Sequence, residues 1–223
     1  MIYGASGFGY AVAHALMSSF SPHQLCSVVG FIDDFSGGKG LYFEGIPIYS
    51  TEEWRDSHSD ASCIISVSES RARRRLVAKV IDIGGKFETL YDNLPNTTFP
   101  SVNFGKGCYI HSPIFIGPLT SIGNHVQLMP MCSIGHDVTI GDYCTICPSC
   151  TISGYVVLEP DVFLGAGTTI VNGKIGAPLV IGRGVRAAAG SVITKSVPAG
   201  MRLAGNPARS LREIVRERIA GRT

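Results

Sequence analysis

From Phe104 to Ile170 an aliphatic or aromatic residue returns at every sixth position: Phe104, Ile110, Ile116, Ile122, Leu128, Ile134, Ile140, Ile146, Ile152, Leu158, Leu164 and Ile170. The phase resumes at Ile181, Ala187 and Ile193. A glycine often follows the aliphatic residue, as in IGP, IGN, IGH, IGD and LGA. Four positions after it stands a small or β-branched residue, from Thr120 and Val126 to Val162 and Thr168. A period of six fits neither an α-helix nor a simple alternating sheet. It is the period of a parallel β-helix, in which each hexapeptide is one short strand and one turn. Three hexapeptides make a coil, so residues 18 apart stack at about the interstrand spacing of ~4.8 Å. The aliphatic residue fills the prism and the small residue packs beside it.

This phase bears on the cysteines. The chain has Cys26, Cys63, Cys108, Cys132, Cys144, Cys147 and Cys150, an odd number in a chain that is not short, which argues against a disulfide framework. Cys144, Cys147 and Cys150 are three apart and admit a metal reading. However, Cys132, Cys144 and Cys150 occupy the small slot, where they are expected to be core. His111, His125 and His136 stand at different phases, with offsets of 14 and 11 rather than 18. A three-histidine zinc site needs converging ligands, so none is expected. One break in the phase stands out. Ile170 to Ile181 is eleven residues, so Val171–Val180 (VNGKIGAPLV) holds about five extra and should loop out of the prism. Such loops usually serve binding or oligomer contacts.

Before the repeats, residues 1–95 alternate between strand-like and helix-like segments. Met1–Gly4, Ser27–Asp33, Ser62–Val67 and Phe87–Tyr91 read as strands; Phe8–Phe20, Thr51–Ser57 and the basic Ser70–Ile83 read as helices. That order is a small parallel, Rossmann-like α/β unit. Residues 96–205 are the prism, and 206–223 end the chain with an Arg-rich amphipathic helix over Ala208–Ile219. The first strand is very short, as a chain start placed too late would leave it. With 45% hydrophobic and 16% charged residues the chain is neither disordered nor a charged tail. A net charge of +2 gives no reason to expect a nucleic-acid partner. No secretory leader and no run of 18 apolar residues is visible, so no membrane association and a cytoplasmic location are expected.

A β-helix has no internal cavity, so its chemistry must sit outside, on residues that break the repeat. His136-Asp137 lies at a turn in mid-prism (IGHDVTIGD). A neutral imidazole is suited to take a proton from an amine or hydroxyl attacking a thioester. A neighbouring carboxylate can fix its tautomer. Gly154 follows His136 by 18, one coil along on the same face, where a backbone N–H with no side chain beside it suits an oxyanion. The same glycine is also what a turn needs. In the first half, Gly4-Ala-Ser-Gly7-Phe-Gly9 joins a strand to a helix. Amides there can approach a phosphate, although GxxGxG is not the dinucleotide spacing GxGxxG and also suits a tight turn without a ligand. Asp33 and Asp34 end the second strand, where acids either meet a ribose or base or form a solvated turn.

Taken together, GASGFG and GFIDD in a short α/β unit, a hexapeptide prism with a mid-prism HD, and AAAGSVITKSVPAGMRLAGNPAR resemble the sialic acid O-acetyltransferase family of hexapeptide acyltransferases, in its nucleotide-aminosugar N-acetyltransferase branch. The resemblance covers nearly the whole chain. It implies a left-handed parallel β-helix, against the usual crossover rule, and a homotrimer with active sites between prisms. It implies acetyl-CoA as co-substrate with no metal. A nucleotide sugar would be held by Gly4, Ser6, Gly7, Phe8, Asp33 and Asp34. His136 would be the base, with Asp137 beside it and Gly154 at the oxyanion. The coenzyme would run past Gly154, Ala166, Ala187, Ala188, Ala189 and Gly190. The chain departs from the family at Phe8 and Thr145, where histidines are common, at Met129, where Asn is common, and in the Val171–Val180 insertion. The expected function is acetyl transfer to the amine of a nucleotide-linked amino-dideoxy sugar for surface glycans. The alternatives are O-acetylation of a sugar such as sialic acid, or a non-catalytic nucleotide-sugar-binding trimer.

Overall fold

The computed structural model describes residues 1–18, 27–35, 41–58, 60–91 and 99–220. Residues 19 and 20, with which the expected first helix ends, and Cys26 lie outside that set. The N-terminal unit runs β1 (Ile2–Tyr3), α1 (Gly7–Ser18), β2 (Phe31–Ile32), β3 (Leu41–Phe43), β4 (Ile46–Tyr49), α2 (Thr51–His58), β5 (Ile64–Ile65) and α3 (Ser70–Asp82). Its sheet has the order β3-β4-β2-β1-β5 and is parallel except for the β3–β4 hairpin. That hairpin is absent from the sequence reading. Its signal was Glu44-Gly45 between two apolar runs, a two-residue turn with both residues at positive φ (46° and 81°).

The last strand of the first half, β6 (Leu90–Tyr91), does not belong to this sheet. Phe87 bridges to Cys63 of the α/β unit, but Leu90 and Tyr91 pair with Tyr109 and Ile110 of the prism. Two-residue strands cannot choose a sheet by propensity; the neighbour that offers free backbone groups decides.

From residue 103 onward the chain winds as a three-faced prism. Asn103–Phe104, Ser121–Ile122, Thr139–Ile140, Val156–Leu158 and Leu179–Ile181 make face one. Tyr109–Ile110 begins face two and Phe115–Ile116 begins face three. The register is 18 residues as far as the phase break, as in Ile122↔Ile140 and Ile134↔Ile152, and 16 at the last turn, where Arg186 pairs with Arg202. Between Leu158 and Ile181 it is 23, so five residues leave the coil as the phase break requires. The repeating aliphatic residues from Ile110 to Ile170 are fully buried or nearly so. Burying each contributes roughly 1.5–3 kcal/mol relative to exposure.

The small slot has its own chemistry. The Cys132 and Cys144 thiols donate to the carbonyls of Cys147 and Glu159, and Cys150 donates to Gly165 O, each 15 residues onward at 3.2–3.3 Å. Thr120 does the same to Gly135 O at 3.0 Å. These cysteines are core, as the phase predicts. Burial pushes the Cys144 thiol up to about 12, so it is not a nucleophile at neutral pH.

The two halves lock through α3 and face two. Arg73, 1% exposed, donates to the carbonyls of Val67, Ser68, Tyr143 and Cys144 and to Thr145 Oγ1. Gln127 Nε2 donates back to Ile65 O at 2.8 Å. Arg74 forks onto Asp161 at 2.9 and 3.0 Å and lies over the Tyr143 ring. The chain ends in α4 (Leu211–Ala220), slightly later than expected. No helix among the described residues is long and apolar enough to cross a membrane.

Candidate active site

His136 and Asp137 stand where the chain turns from face three to face one. Asp137 has φ 54°, the left-handed conformation that closes each corner of this prism. That turn swings its carboxylate onto the imidazole: Nδ1 of His136 and Oδ2 of Asp137 are 2.8 Å apart. An ionised carboxylate at Nδ1 selects the tautomer with its proton there, leaving Nε2 as the free acceptor. The His136 side chain is about half exposed, at 49%. The Tyr155 ring meets it edge-on at 5.0 Å.

Gly154 lies on His136, as the 18-residue stack predicts. A Cβ at Gly154 would sit 2.7 Å from both Cε1 and Nε2, so only glycine leaves room for the ring. The expectation that its N–H is open to an oxyanion is not met. That amide donates to Asn172 Oδ1 at 3.0 Å, one further step up the same edge. Similar side-chain caps recur 18 residues apart at Lys106–Asn124 and Asn124–Asp142, which marks the bond as a corner ladder. The insertion is rooted at this point: Gly173 N donates to Gly154 O and Leu179 N to Tyr155 O, both at 3.0 Å. Lys174 and Ala177 pair through their own backbones, and Ile175 at the tip is 81% exposed.

The remaining coenzyme residues lie elsewhere. Ala166 and Ala188–Gly190 are exposed on the edge between faces two and three, not on the edge that carries His136. Ala187 is 2% exposed and fills an aliphatic core slot between Leu164 and Leu203, so its side chain faces the prism core and not the surface. A single chain therefore does not bring the two halves of the expected coenzyme path together. Thr145 is not near His136 either. It is 1% exposed and its hydroxyl donates to Ser68 O in the interdomain lock.

In the N-terminal unit the glycine turn has the expected shape. Gly4 has φ 113°, and a Cβ at Gly9 would fall 2.0 Å from Gly4 O. Ser6 and Gly7 are exposed at the start of α1, where a helix N-terminus offers amides to an anion. Phe8 instead packs edge-on against Tyr109 of the prism, 6.1 Å between centroids.

The two acids are also occupied. Asp33 accepts from the amides of Ala5 and Phe35, at 3.1 and 2.9 Å, and so holds the glycine turn in place. Asp34 accepts from Thr51 N and Oγ1, from Lys79 Nζ at 2.6 Å and from the Tyr3 hydroxyl. Burial opposes its charge, yet these donors hold its carboxyl well below the usual range. Both acids are thus engaged by groups of the α/β unit itself, rather than presented to a ribose or base as expected. Among the described residues no group of three or more His, Cys, Asp or Glu converges as a metal site would require.

Residues 119–154 match the family model for the bacterial transferase hexapeptide (six repeats), and residues 1–80 match that for the PglD N-terminal domain. A left-handed hexapeptide prism with an outward His–Asp pair, joined to this α/β unit, defines a hexapeptide-repeat acyltransferase. The chain is 30% identical over 216 residues to the GDP-perosamine N-acetyltransferase of Escherichia coli O157:H7, covering 95% of each chain. Its fold matches WeeI from Acinetobacter baumannii AYE with a TM-score of 0.75 and 30% identity, over 94% of this chain and 98% of that one. It also matches the acetyltransferase domain of PglB from Neisseria gonorrhoeae FA1090 in complex with acetyl coenzyme A, with a TM-score of 0.80 and 26% identity, over 94% and 97%. The chain belongs to the nucleotide-aminosugar N-acetyltransferases, and it is an acetyltransferase whose acyl donor is acetyl-CoA.

Proposed function

We propose that the acceptor is a GDP-linked amino-dideoxy sugar of the perosamine type and that His136 is the general base. The acceptor follows from the E. coli relative, which matches along nearly its whole length. One observation supports the base: Nδ1 is held by Asp137 at 2.8 Å, while the half-exposed ring carries Nε2 against a glycine that has no side chain to cover it. In the reaction the sugar amine attacks the thioester carbonyl and Nε2 takes the proton it sheds. The tetrahedral intermediate collapses with cleavage of the C–S bond, and the departing thiolate takes up the proton. Asp137 stabilises the imidazolium formed in between. Gly154 serves by clearance over Nε2; its amide reaches an oxyanion only if Asn172 turns away.

The nucleotide diphosphate would sit on the glycine turn at Gly4, Ser6 and Gly7. Ala166 and Ala188–Gly190 would meet the coenzyme from a second copy, since their edge faces away from His136. That geometry supports a homotrimer with sites between prisms. Acetyl-CoA and nucleotide sugars are cytoplasmic metabolites, which supports a cytoplasmic enzyme acting in surface glycan synthesis.

The test is thiol release from acetyl-CoA with GDP-, UDP- and dTDP-linked 4-amino sugars and with free sialic acid. Turnover with the GDP-linked amine is expected. His136→Ala should lose about a hundredfold or more in kcat with its oligomer intact. Near-normal turnover by that variant would remove His136 as base, and release only with sialic acid would replace the acceptor.

A further inference from the structure

Two arrangements in this chain run against ordinary electrostatics, and both face one cavity. The first is the start of α3. Arg71, Arg73, Arg74 and Arg75 crowd its first six residues, and against them the first turn offers no acid beyond the N-cap, Glu69. The positive end of the helix dipole favours acids there and disfavours cations. Arg73 and Arg74 are held by the prism; Arg71 is exposed. The second is on face two, where Arg186 and Arg202 stand directly opposite each other on adjacent parallel strands. Like charges opposed across a sheet are destabilising. Violations of local rules that the fold does not need point to function.

Arg71, Arg183, Arg186 and Arg202 line a cavity of 730 Å³ together with Glu69 and Asp161. Two carboxylates offset only part of the charge of four guanidinium groups. Both oxygens of Glu69 cap α3 by accepting from Arg71 N and Ala72 N. Asp161 is forked by Arg74 and has Arg183 at 3.6 Å. Arg186 is held over the Phe163 ring at 4.3 Å. Among the described residues, Arg71, Arg186 and Arg202 have no carboxylate within ion-pair distance.

We infer that this cavity is a binding site for a phosphate-bearing ligand, a diphosphate or a phosphomonoester dianion. Guanidinium forks match phosphate oxygens in pairs, and converging arginines repel one another less once such an anion sits between them. The cavity lies on the edge between faces one and two. His136 is on the edge between three and one, and Ala188 is on the edge between two and three, so within one chain the cavity lies apart from both. The acetyl-transfer reading supplies two sources of the ligand: CoA, with a 3′-phosphate and a diphosphate, and the nucleotide diphosphate. The anion site itself does not depend on that reading.

The experiment is calorimetric titration of the full chain with inorganic pyrophosphate. Submillimolar binding that weakens with salt is expected, and Arg71→Ala/Arg202→Ala should weaken it about tenfold or more. His136→Ala should bind as wild type, which separates this site from the failure of the catalytic reading. The thermal midpoint of the double variant should hold or rise, because a like-charge contact is removed. Parallel titrations with CoA, dephospho-CoA and GDP identify the source by which of them loses affinity in the double variant. Equal pyrophosphate affinity in both proteins, or no binding up to about 10 mM, would overturn the site. A fall in the midpoint would also count against it, by showing that these arginines hold the fold.

Discussion

His125 is the residue whose surroundings most restrict its chemistry. It is 7% exposed, stacked on Tyr143 and edge-on to Phe87, and its Nδ1 has no partner among the described residues. Burial first, and then the Arg73 charge, lowers its pKa from 6.5 to about 4. The folded chain therefore binds fewer protons at this site than the unfolded one between those values. Its contribution to stability is fully present above about pH 6.5 and is lost as pH falls toward 4. Denaturant midpoints should decline over that window. His125→Asn, which keeps the left-handed corner accessible, should flatten the decline while lowering the plateau; an unchanged slope would remove His125 as its source. The contrast with His136 is one of position. Both follow the corner pattern, but His125 faces the α/β unit and His136 faces outward with a carboxylate beside it. The sequence separated them by their phase in the repeat and by the acid that follows His136.

At the scale of the element, the prism corner carries an unusual conformational load. Leu119, His125, Met131, Asp137, Tyr143, Ser149, Tyr155 and Asp161 all have positive φ, between 54° and 66°. Each costs roughly 1–2 kcal/mol relative to a right-handed residue, and the aliphatic stack beneath offsets it. One coil above Ser149 the same corner is Gly167, at φ 69°. Ser149 is exposed, so Ser149→Gly should relieve strain at little packing cost. The expected gain is about 0.5 kcal/mol after the extra entropy of the unfolded glycine, read as a higher denaturant midpoint with unchanged slope. A loss of stability would show that the serine side chain holds the corner. The six-residue period foretold these corners, because every sixth position had to turn. It did not foretell the β3–β4 hairpin, where the signal was a single Glu-Gly pair. Nor did it foretell the sheet that β6 joins, where two residues carry no pattern at all.

For the whole molecule, the junction between the α/β unit and the prism holds the two halves in one arrangement. Arg73 satisfies four carbonyls and a hydroxyl across it. Burial lowers its pKa only to about 10, so it stays charged at neutral pH. Arg73→Met should take one donor from each of these acceptors, leave Tyr143 O with none among the described residues, and cost about 1–3 kcal/mol. The α/β unit should then unfold before the prism, giving two transitions where wild type shows fewer; a single unshifted transition would refute the lock. What the sequence by itself determined is the prism, its 18-residue register, the buried cysteines, the five-residue insertion and the stacking of Gly154 on His136. All of these follow from a repeat in which position along the chain dictates position in space. What only the tertiary structure decided are the contacts between segments with no common period. It tied Asp33 to the glycine turn and Asp34 to Thr51, Lys79 and Tyr3, buried Thr145 against the α/β unit, and gathered arginines from three segments around one cavity. Such contacts depend on which elements meet when the chain packs, and no repeat in the sequence records that.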